Sequence, residues 1–322
     1  MAARELTWRD HRQQAITPVV SVNIPCYRQL DQLRRCIDSV LAQTLGDFEI
    51  NLFDDGASDE YRDYVAALGD PRVRYQRNPQ RLGAMRNMFQ AISAGRGTYS
   101  MAFHEDDLVG SHYLATAVSI LERDPRCGFV AGELRQFDAE PAASALAAPA
   151  EHPAVVAFDS PAGLLREIFR GVEPMFGSIV YRRAALAGVT APHEAFATLV
   201  DRPFLLRILE RWSGAIVRDP LVWYRKHGDG DDRHLAMSAD NVLRLMKQYR
   251  AVFPDRLSPE DRALFYGYTG YWLFTLYRLL PPESKPPLRP FVFRAWREGV
   301  YDPRWSSGLG RKRLIGLMLT GK

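Results

Sequence analysis

The feature that most constrains the fold of this chain is a regular alternation of short apolar runs with amphipathic stretches across residues 19–103. The β-branched run 19–24 and the apolar run 48–53 have the length and composition of buried strands. Between them, in residues 30–43, apolar side chains recur at spacings of three and four, which predicts a helix with one apolar face. Further helical and strand patterns follow. This alternation predicts an α/β fold with a Rossmann-like, mostly parallel sheet and flanking helices.

The composition excludes several classes of protein. Hydrophobic residues make up 47% and charged residues 25% of the 322 residues, proportions that argue against a disordered, collagen-like or coiled-coil chain. The net charge is +4, but no basic stripe alternates with aromatic residues, so no nucleic-acid partner is predicted. The three cysteines show no C-x-x-C spacing and predict neither a disulfide framework nor a zinc site.

The sequence shows no pattern typical of a targeting or membrane segment. The first seventeen residues carry charges without the apolar core of a secretory signal. No run reaches the roughly 18 to 20 apolar residues that a membrane span needs. We therefore expect a cytoplasmic protein.

Aromatic and acidic residues follow the strand candidates at the points where the strands end. They are Tyr27, Asp54, Asp55, Glu105, Asp106 and Asp107. In open parallel sheets, ligands bind beyond the carboxyl ends of the strands. Three consecutive carboxylates repel one another, and a divalent cation with oxygen ligands, Mg²⁺ or Mn²⁺, would compensate them. The alternative for the triplet is a solvated loop that caps the next helix.

The segment Asp54–Asp59 and the residue Tyr27 also allow two interpretations each. A carboxylate in the segment Asp54–Asp59 could accept a hydrogen bond from a nucleobase N–H or a ribose hydroxyl. The same segment is typical of a turn followed by a helix N-cap. Tyr27 could stack on a base, or it could be a buried core residue.

Taken in order, these motifs resemble the family 2 glycosyltransferases of GT-A fold. The residues that carry the resemblance are Val20–Tyr27, Cys36–Thr44, Asp47–Ile50, Asp54–Asp59, Asn78, Gly83, Arg86–Asn87, Ala94–Gly95 and Glu105–Asp107. The resemblance implies a nucleotide-sugar-dependent, inverting transferase that needs Mn²⁺ or Mg²⁺. It further implies a role in bacterial surface polysaccharide or glycoconjugate assembly.

The resemblance also implies roles for individual residues. Tyr27 would stack on the donor base, Asp55 would recognise its uracil or thymine edge, and Asp201 would be the catalytic base. The metal ligands would be Asp107 and His227. The full donor-binding set is Pro25, Tyr27, Asp54, Asp55, Gly83, Arg86, Glu105 and Asp106.

This chain departs from the family pattern at two of these positions. The acidic triplet begins with Glu105 where the family's D-x-D motif has aspartate, and Val200 precedes Asp201 where the family usually has glutamate. Asp201 is also a good helix N-cap, since Pro203 follows it. Trp223 to His227 resembles the family's Tyr-Arg-x-His segment, in which the histidine can approach the metal or the diphosphate.

The pattern divides the chain into three parts. We expect an extension at 1–18, a GT-A catalytic domain at 19–235 and a C-terminal helical region at 236–322. Within the catalytic domain, residues 19–127 would form the nucleotide-binding half and residues 128–235 the acceptor-side half.

The predicted partners are a nucleoside-diphosphate sugar of UDP or TDP type and a glycan or lipid-linked acceptor. The basic, apolar tail from Arg311 predicts peripheral contact with the inner face of a membrane. The alternative for this region is a helical subdomain that packs on the core or forms a homodimer. Liposome co-sedimentation with and without the tail distinguishes the two, because equal pelleting would exclude membrane contact.

Two other functions remain alternatives. One is a catalytically inactive module that binds a nucleotide sugar without transferring it. The other is a nucleotidyltransferase, although the first strand leads into Tyr27, Arg28 and Gln29 without the glycine-rich loop that usually grips a triphosphate.

Overall fold

A mixed β-sheet forms the centre of the molecule in the computed structural model, which describes residues 17–56, 58–147, 154–190, 193–226, 238–280 and 282–305. The strands, in chain order, are β1 (Val20–Cys26), β2 (Phe48–Asp54), β3 (Val73–Arg77), β4 (Tyr99–Ala102), β5 (Leu108–Val109), β6 (Cys127–Phe137), β7 (Val155–Phe158), β8 (Ile179–Arg182) and β9 (Ser213–Arg225).

Helices flank the sheet on both faces and continue beyond its last strand. They are α1 (Leu30–Leu41), α2 (Glu60–Leu68), α3 (Ala84–Ser93), α4 (Tyr113–Arg123), α5 (Ala143–Ala147), α6 (Pro161–Phe169), α7 (His193–Phe196), α8 (Asp201–Ile208), α9 (Ala239–Val252), α10 (Pro259–Leu279) and α11 (Leu288–Arg297). None of the described helices is both long enough and apolar enough to cross a lipid bilayer.

The strand order separates a parallel half from a mixed half. The order is β3-β2-β1-β4-β8-β6-β9-β5, and β7 pairs with β9. Strands β1 to β4 pair in parallel, because amphipathic helices connect each strand to the next. In the second half, β8 runs antiparallel to both β4 and β6, while β6 and β9 are parallel.

The register brings the carboxyl ends of the parallel strands to one edge of the sheet. Cys26 at the end of β1 lies opposite Asp54, and Asp54 lies opposite Arg77 at the end of β3. The backbone N–H of Phe103, just beyond β4, donates to Asn23 O at 2.9 Å. Residues that follow these strands therefore meet at this edge, which we call the donor edge.

Two hydrophobic cores lie on opposite faces of the sheet, because successive strand residues point to opposite sides. Phe129 and Ile179 contribute to one core, whereas their neighbours Val130 and Val180 contribute to the other. The first core also takes side chains from α9, α10 and α11, including the fully buried Phe265.

The α/β fold and its C-terminal helical region are therefore confirmed. The alternating pattern did not predict the antiparallel pairings of β8, since they join strands that are distant in the chain. The bounds given for the three parts stay predictions.

Candidate active site

Asp54 and its partners form the floor of the donor edge. The side chain has no exposed surface, and its oxygens accept hydrogen bonds from Gly56 N and Tyr75 OH, each at 2.7 Å. Arg77 Nε lies 3.5 Å from Oδ2. Asp54 therefore fixes the turn that follows β2.

Asp55 ties a loop to the end of β2. Its carboxylate accepts hydrogen bonds from Asn78 Nδ2 at 3.0 Å, Leu82 N at 2.7 Å and Gly83 N at 2.8 Å. Gly83 has φ of 80° and directly precedes α3, a conformation that glycine adopts without strain. We call residues 78–83 the donor loop, and Asp55 determines its position.

Tyr27 stands between two arginines at the same edge. Its ring centroid lies 4.9 Å from Arg28 Cζ and 4.5 Å from Arg81 Cζ, the second of these from the donor loop. Gly56 is adjacent, since a Cβ there would lie 4.0 Å from the Tyr27 ring. A half-buried aromatic ring, two cations and the Asp55 turn thus meet in one place.

Glu105 connects this group to the end of β4. Its Oε1 accepts from Tyr27 N at 2.7 Å, and its Oε2 accepts from Tyr61 OH at 2.8 Å. Burial and, to a smaller extent, the negative charge of Asp106 raise the pKa of Glu105 to about 7, against the effect of the two hydrogen bonds. Glu105 thus faces Tyr27 and α2.

Three side chains beside Glu105 converge like the ligands of a metal site. One ligand atom from each of His104, Asp106 and Asp107 lies within 4.8 Å of the others. His104 Nδ1 is 3.1 Å from Asp107 Oδ2. Burial raises the pKa of Asp107, which is 1% exposed. We call these three residues the acidic cluster.

The end of β9 closes one side of the acidic cluster. Arg225 N donates to Asp107 Oδ1 at 2.9 Å, and Arg225 Nε donates to Asp106 O at 3.0 Å. The Arg225 guanidinium also pairs with Glu140 and lies 4.6 Å from the Phe137 ring centroid. The main chain of Arg225 thus holds Asp107, and its guanidinium lies against the backbone of Asp106.

Asp201 is the first residue of α8 and is partly buried. Its Oδ1 accepts a hydrogen bond from Arg202 N at 2.8 Å. The N-cap position belongs to Val200, and no side chain caps the helix, so Asp201 does not serve as the N-cap. Burial raises the pKa of Asp201, while the positive charge of Arg202 opposes the rise.

A short 3₁₀ turn, Phe176–Ser178, links Asp201's helix to the acidic cluster. A Cβ on Gly177 would lie 3.1 Å from His104 Nδ1 and 3.4 Å from Asp107 Oδ2. The Phe176 ring packs edge-on against Phe204, three residues after Asp201, at a centroid distance of 5.7 Å. The turn therefore contacts both the acidic cluster and the helix that begins at Asp201.

The donor edge collects most of the side chains predicted from the sequence. Pro25 lies within β1 opposite Phe53, and Arg86 is exposed in the first turn of α3. His227 and the tail from Arg311 fall outside the described residues. The roles assigned to these residues stay predictions.

Sequence reasoning missed three residues of the site. His104 could have been found because it precedes Asp107 by three residues, a spacing that brings two side chains together in one turn. Tyr61 and Gly177 carry no local signal, because they reach the site through contacts between distant parts of the chain.

Comparison with known proteins gives a family match for the first part of the chain. Residues 21–148 match the model of glycosyl transferase family 2. The putative colanic acid biosynthesis glycosyl transferase WcaA of Escherichia coli is 33% identical over 92 residues, which are 28% of this chain and 33% of that protein. The chain spans about a third or less of the length of the curated relatives that it matches.

Solved structures match the fold over nearly the whole chain. Residues 1–349 of S. aureus TarS, in complex with UDP-GlcNAc, give a TM-score of 0.58 at 12% identity, covering 94% of this chain and 92% of that one. The mannosyltransferase PcManGT of Pyrobaculum calidifontis, in complex with GDP-Man and Mn²⁺, gives 0.52 at 16% identity, covering 95% and 87%. The resemblance predicted from the sequence is thus confirmed: residues 21–148 match glycosyl transferase family 2, within a fold of the GT-A type.

Proposed function

We propose that this chain transfers a sugar from a nucleoside-diphosphate donor to a hydroxyl acceptor, with inversion at the anomeric carbon. One observation carries the proposal. A base-stacking candidate, an acidic cluster and a separate, partly buried carboxylate, Asp201, are linked through the donor edge and the turn at Gly177. The family match and the nucleotide sugars bound by TarS and PcManGT support it.

The acidic cluster has donor atoms that suit a divalent cation. Carboxylate oxygens and an imidazole nitrogen are ligands that Mn²⁺ accepts, and carboxylates also suit Mg²⁺. His104, Asp106 and Asp107 would hold the ion, and Mn²⁺ in the PcManGT structure supports this choice. When bound, the ion supplies positive charge against the donor diphosphate.

The donor loop and Tyr27 would hold the nucleoside. The Tyr27 ring offers a face for stacking once one of its flanking arginines moves aside. Two carboxylate oxygens provide about four lone-pair directions, and three protein N–H groups already point at Asp55. Asp55 thus keeps about one direction for a base N–H, such as the imide of uracil or thymine.

Asp201 would act as the general base. Its carboxylate takes the proton from the acceptor hydroxyl while that oxygen bonds to the anomeric carbon. The bond from this carbon to the diphosphate oxygen breaks in the same step, and the electron pair leaves with the nucleoside diphosphate. The Arg225 guanidinium, which donates to the carbonyl oxygen of Asp106, stabilises the negative charge of the leaving group.

The test compares Asp201→Asn and Asp107→Asn with the wild type and with Asp63→Asn, whose side chain is 67% exposed on α2. The assay uses UDP-, TDP- and GDP-sugars with Mn²⁺ and a panel of hydroxyl acceptors. Asp201→Asn should lower kcat about 10²- to 10⁴-fold and leave donor affinity intact. Asp107→Asn should abolish the effect of Mn²⁺ on donor affinity, and Asp63→Asn should match the wild type.

The same assay separates the alternatives. Near-wild-type transfer by Asp201→Asn would exclude the base role. Donor binding with neither transfer nor slow donor hydrolysis in the wild type would favour the inactive module. A parallel incubation with nucleoside triphosphates tests the third function, since release of pyrophosphate would indicate a nucleotidyltransferase. The name of WcaA supports surface polysaccharide assembly as the setting.

A further inference from the structure

A buried arginine follows the proposed base directly in the chain. The side chain of Arg202 belongs to a residue that is only 9% exposed. A buried charge is costly unless charged or polar partners compensate it. The partners of Arg202 therefore indicate why the charge is retained.

The guanidinium of Arg202 is held by the C-terminal helices. Its NH1 donates to Tyr268 OH of α10 at 2.7 Å, and its Cζ lies 5.3 Å from the ring centroid of Trp272, one turn later. Its NH2 is 3.9 Å from Glu173 Oε1. These contacts fix, from outside the sheet, the positive charge of the residue that follows Asp201.

The charge of Arg202 favours the form of Asp201 that can accept a proton. Burial raises the pKa of Asp201, Arg202 lowers it, and Glu173 raises it. The described groups that interact electrostatically with Asp201 come from α8, the loop before Phe176, β8, α9 and α10. They are Arg202, Glu173, Tyr181, Tyr249 and Tyr268. Arg202 is the cation of this group.

We propose that Arg202 is a positioning residue that keeps Asp201 ionised, and that α10 holds Arg202 in place for this purpose through Tyr268 and Trp272. This inference rests on the proposed function, since it requires Asp201 to be the base. It goes further by assigning the C-terminal helices a part in the chemistry.

The experiment measures kcat/KM against pH for the wild type, Arg202→Gln, Arg202→Lys and Glu173→Gln, with each variant's melting temperature. A base must be ionised, so activity falls on the acid side of its pKa. Arg202→Gln removes the cation and should move the acid limb to higher pH. If the pKa of the base rises by about one, kcat/KM on that limb falls about tenfold, with little change at high pH. Arg202→Lys should restore most of the wild-type profile.

Glu173→Gln tests the sign of the effect without disturbing a buried residue. The Glu173 side chain is 46% exposed, so the substitution should leave the fold intact. Because it removes a negative charge beside Asp201, the acid limb should move to lower pH, opposite to Arg202→Gln. If Arg202→Gln does not fold, Tyr268→Phe replaces it, because losing the hydrogen bond that holds Arg202 should move the acid limb to higher pH.

The outcomes separate this inference from the proposed function. If Asp201→Asn is inactive but the acid limb stays unchanged in both charge variants, only the inference on Arg202 is overturned. A lowered melting temperature with an unchanged acid limb has the same meaning, since Arg202 would then be purely structural. If Asp201→Asn is as active as the wild type, the proposed function fails and the inference fails with it.

Discussion

Buried carboxylates occupy both ends of the parallel strands, with different surroundings. At the donor edge, Asp107 has one neighbour on each oxygen, Arg225 N and His104 Nδ1, and no arginine side chain pairs with it among the described residues. Glu49, near the start of β2, lies at the opposite end and is 3% exposed. It accepts hydrogen bonds from Ser21 Oγ at 2.8 Å and from Arg96 N, Nε and NH2 at 2.8 to 3.1 Å. A fully compensated carboxylate of this kind stabilises the fold and leaves no charge for a ligand.

Glu49→Gln should therefore destabilise the protein without affecting its chemistry. Burial alone would raise the pKa of Glu49, but hydrogen bonds from Arg96 and Ser21 hold it below its usual value. A lowered pKa in the folded state stabilises the protein above the unfolded value of about 4.3, and this contribution is lost as pH falls through the folded pKa. We expect a loss of about 2 kcal/mol at pH 7, from hydrogen bonds to a charged group.

Urea denaturation at pH 7 and at pH 4 measures this loss, which should shrink at the lower pH. Asp63→Asn serves as the exposed control, with a change close to zero. Equal losses at both pH values would show that the charge of Glu49 is irrelevant.

At the scale of single residues, the sequence predicts which residues follow the ends of strands better than it predicts which side chains contact one another. Tyr27, Asp55 and Asp107 could be assigned to one edge because each follows a strand, and all three lie there. Two contacts could not be predicted, because they depend on how distant segments pack. They are the hydrogen bond from Tyr61 to Glu105 and the contact of Gly177 with His104. Gly177 lies in no recognisable sequence motif, so the sequence gives no sign of its contact with His104.

The element that matters most to the site is the turn Phe176–Ser178. It packs Gly177 against His104 and Asp107, and it packs Phe176 against Phe204 of the helix that begins at Asp201. A side chain at 177 would need the acidic cluster to shift by a few tenths of an ångström. The turn therefore limits how closely the backbone approaches the proposed metal ligands.

Gly177→Ala should weaken Mn²⁺ binding about tenfold, within the range found when the support of a metal ligand is altered. Titration calorimetry with Mn²⁺ measures the affinity. The matched control is Gly46→Ala, since no atom lies within 4 Å of a Cβ there. Equal Mn²⁺ affinity in the two variants would mean that the turn does not constrain the cluster.

Helices with a regular spacing of apolar residues could be predicted from the sequence. The positions of strands that pair with distant segments could not be predicted as well. The apolar positions of α1 are buried as its spacing indicates, at Leu33, Ile37 and Val40. The central position of β8, between β4 and β6, depends on pairing with strands that are about 50 to 80 residues away. Local sequence carries no information on that pairing.

Over the whole molecule, the C-terminal helices share a core with the sheet. Phe265 of α10 and Phe291 of α11 belong to the same hydrophobic cluster as Phe129 and Tyr181 of the sheet. Arg166 of α6 also pairs with Asp261 at 2.7 Å. We therefore expect the two regions to unfold together.

Phe265→Ala tests this expectation. The side chain is fully buried, so truncation should cost about 3–5 kcal/mol. Circular dichroism and tryptophan fluorescence should follow one urea transition with the same midpoint. The control is Phe293→Ala, whose residue is 58% exposed and should change stability by less than about 0.5 kcal/mol. An early transition confined to one probe, with Mn²⁺ binding retained, would show independent domains.

The attachment of Arg202 to α10 has a consequence for how such a protein can diversify. The residues that contact the guanidinium, Tyr268 and Trp272, belong to a helix outside the strands of the donor edge. If Arg202 positions the base as proposed, mutations in that helix would change the pH at which the protein works while the recognition of the nucleotide stays the same. Adaptation to a new environment and adaptation to a new donor would then draw on separate sets of residues.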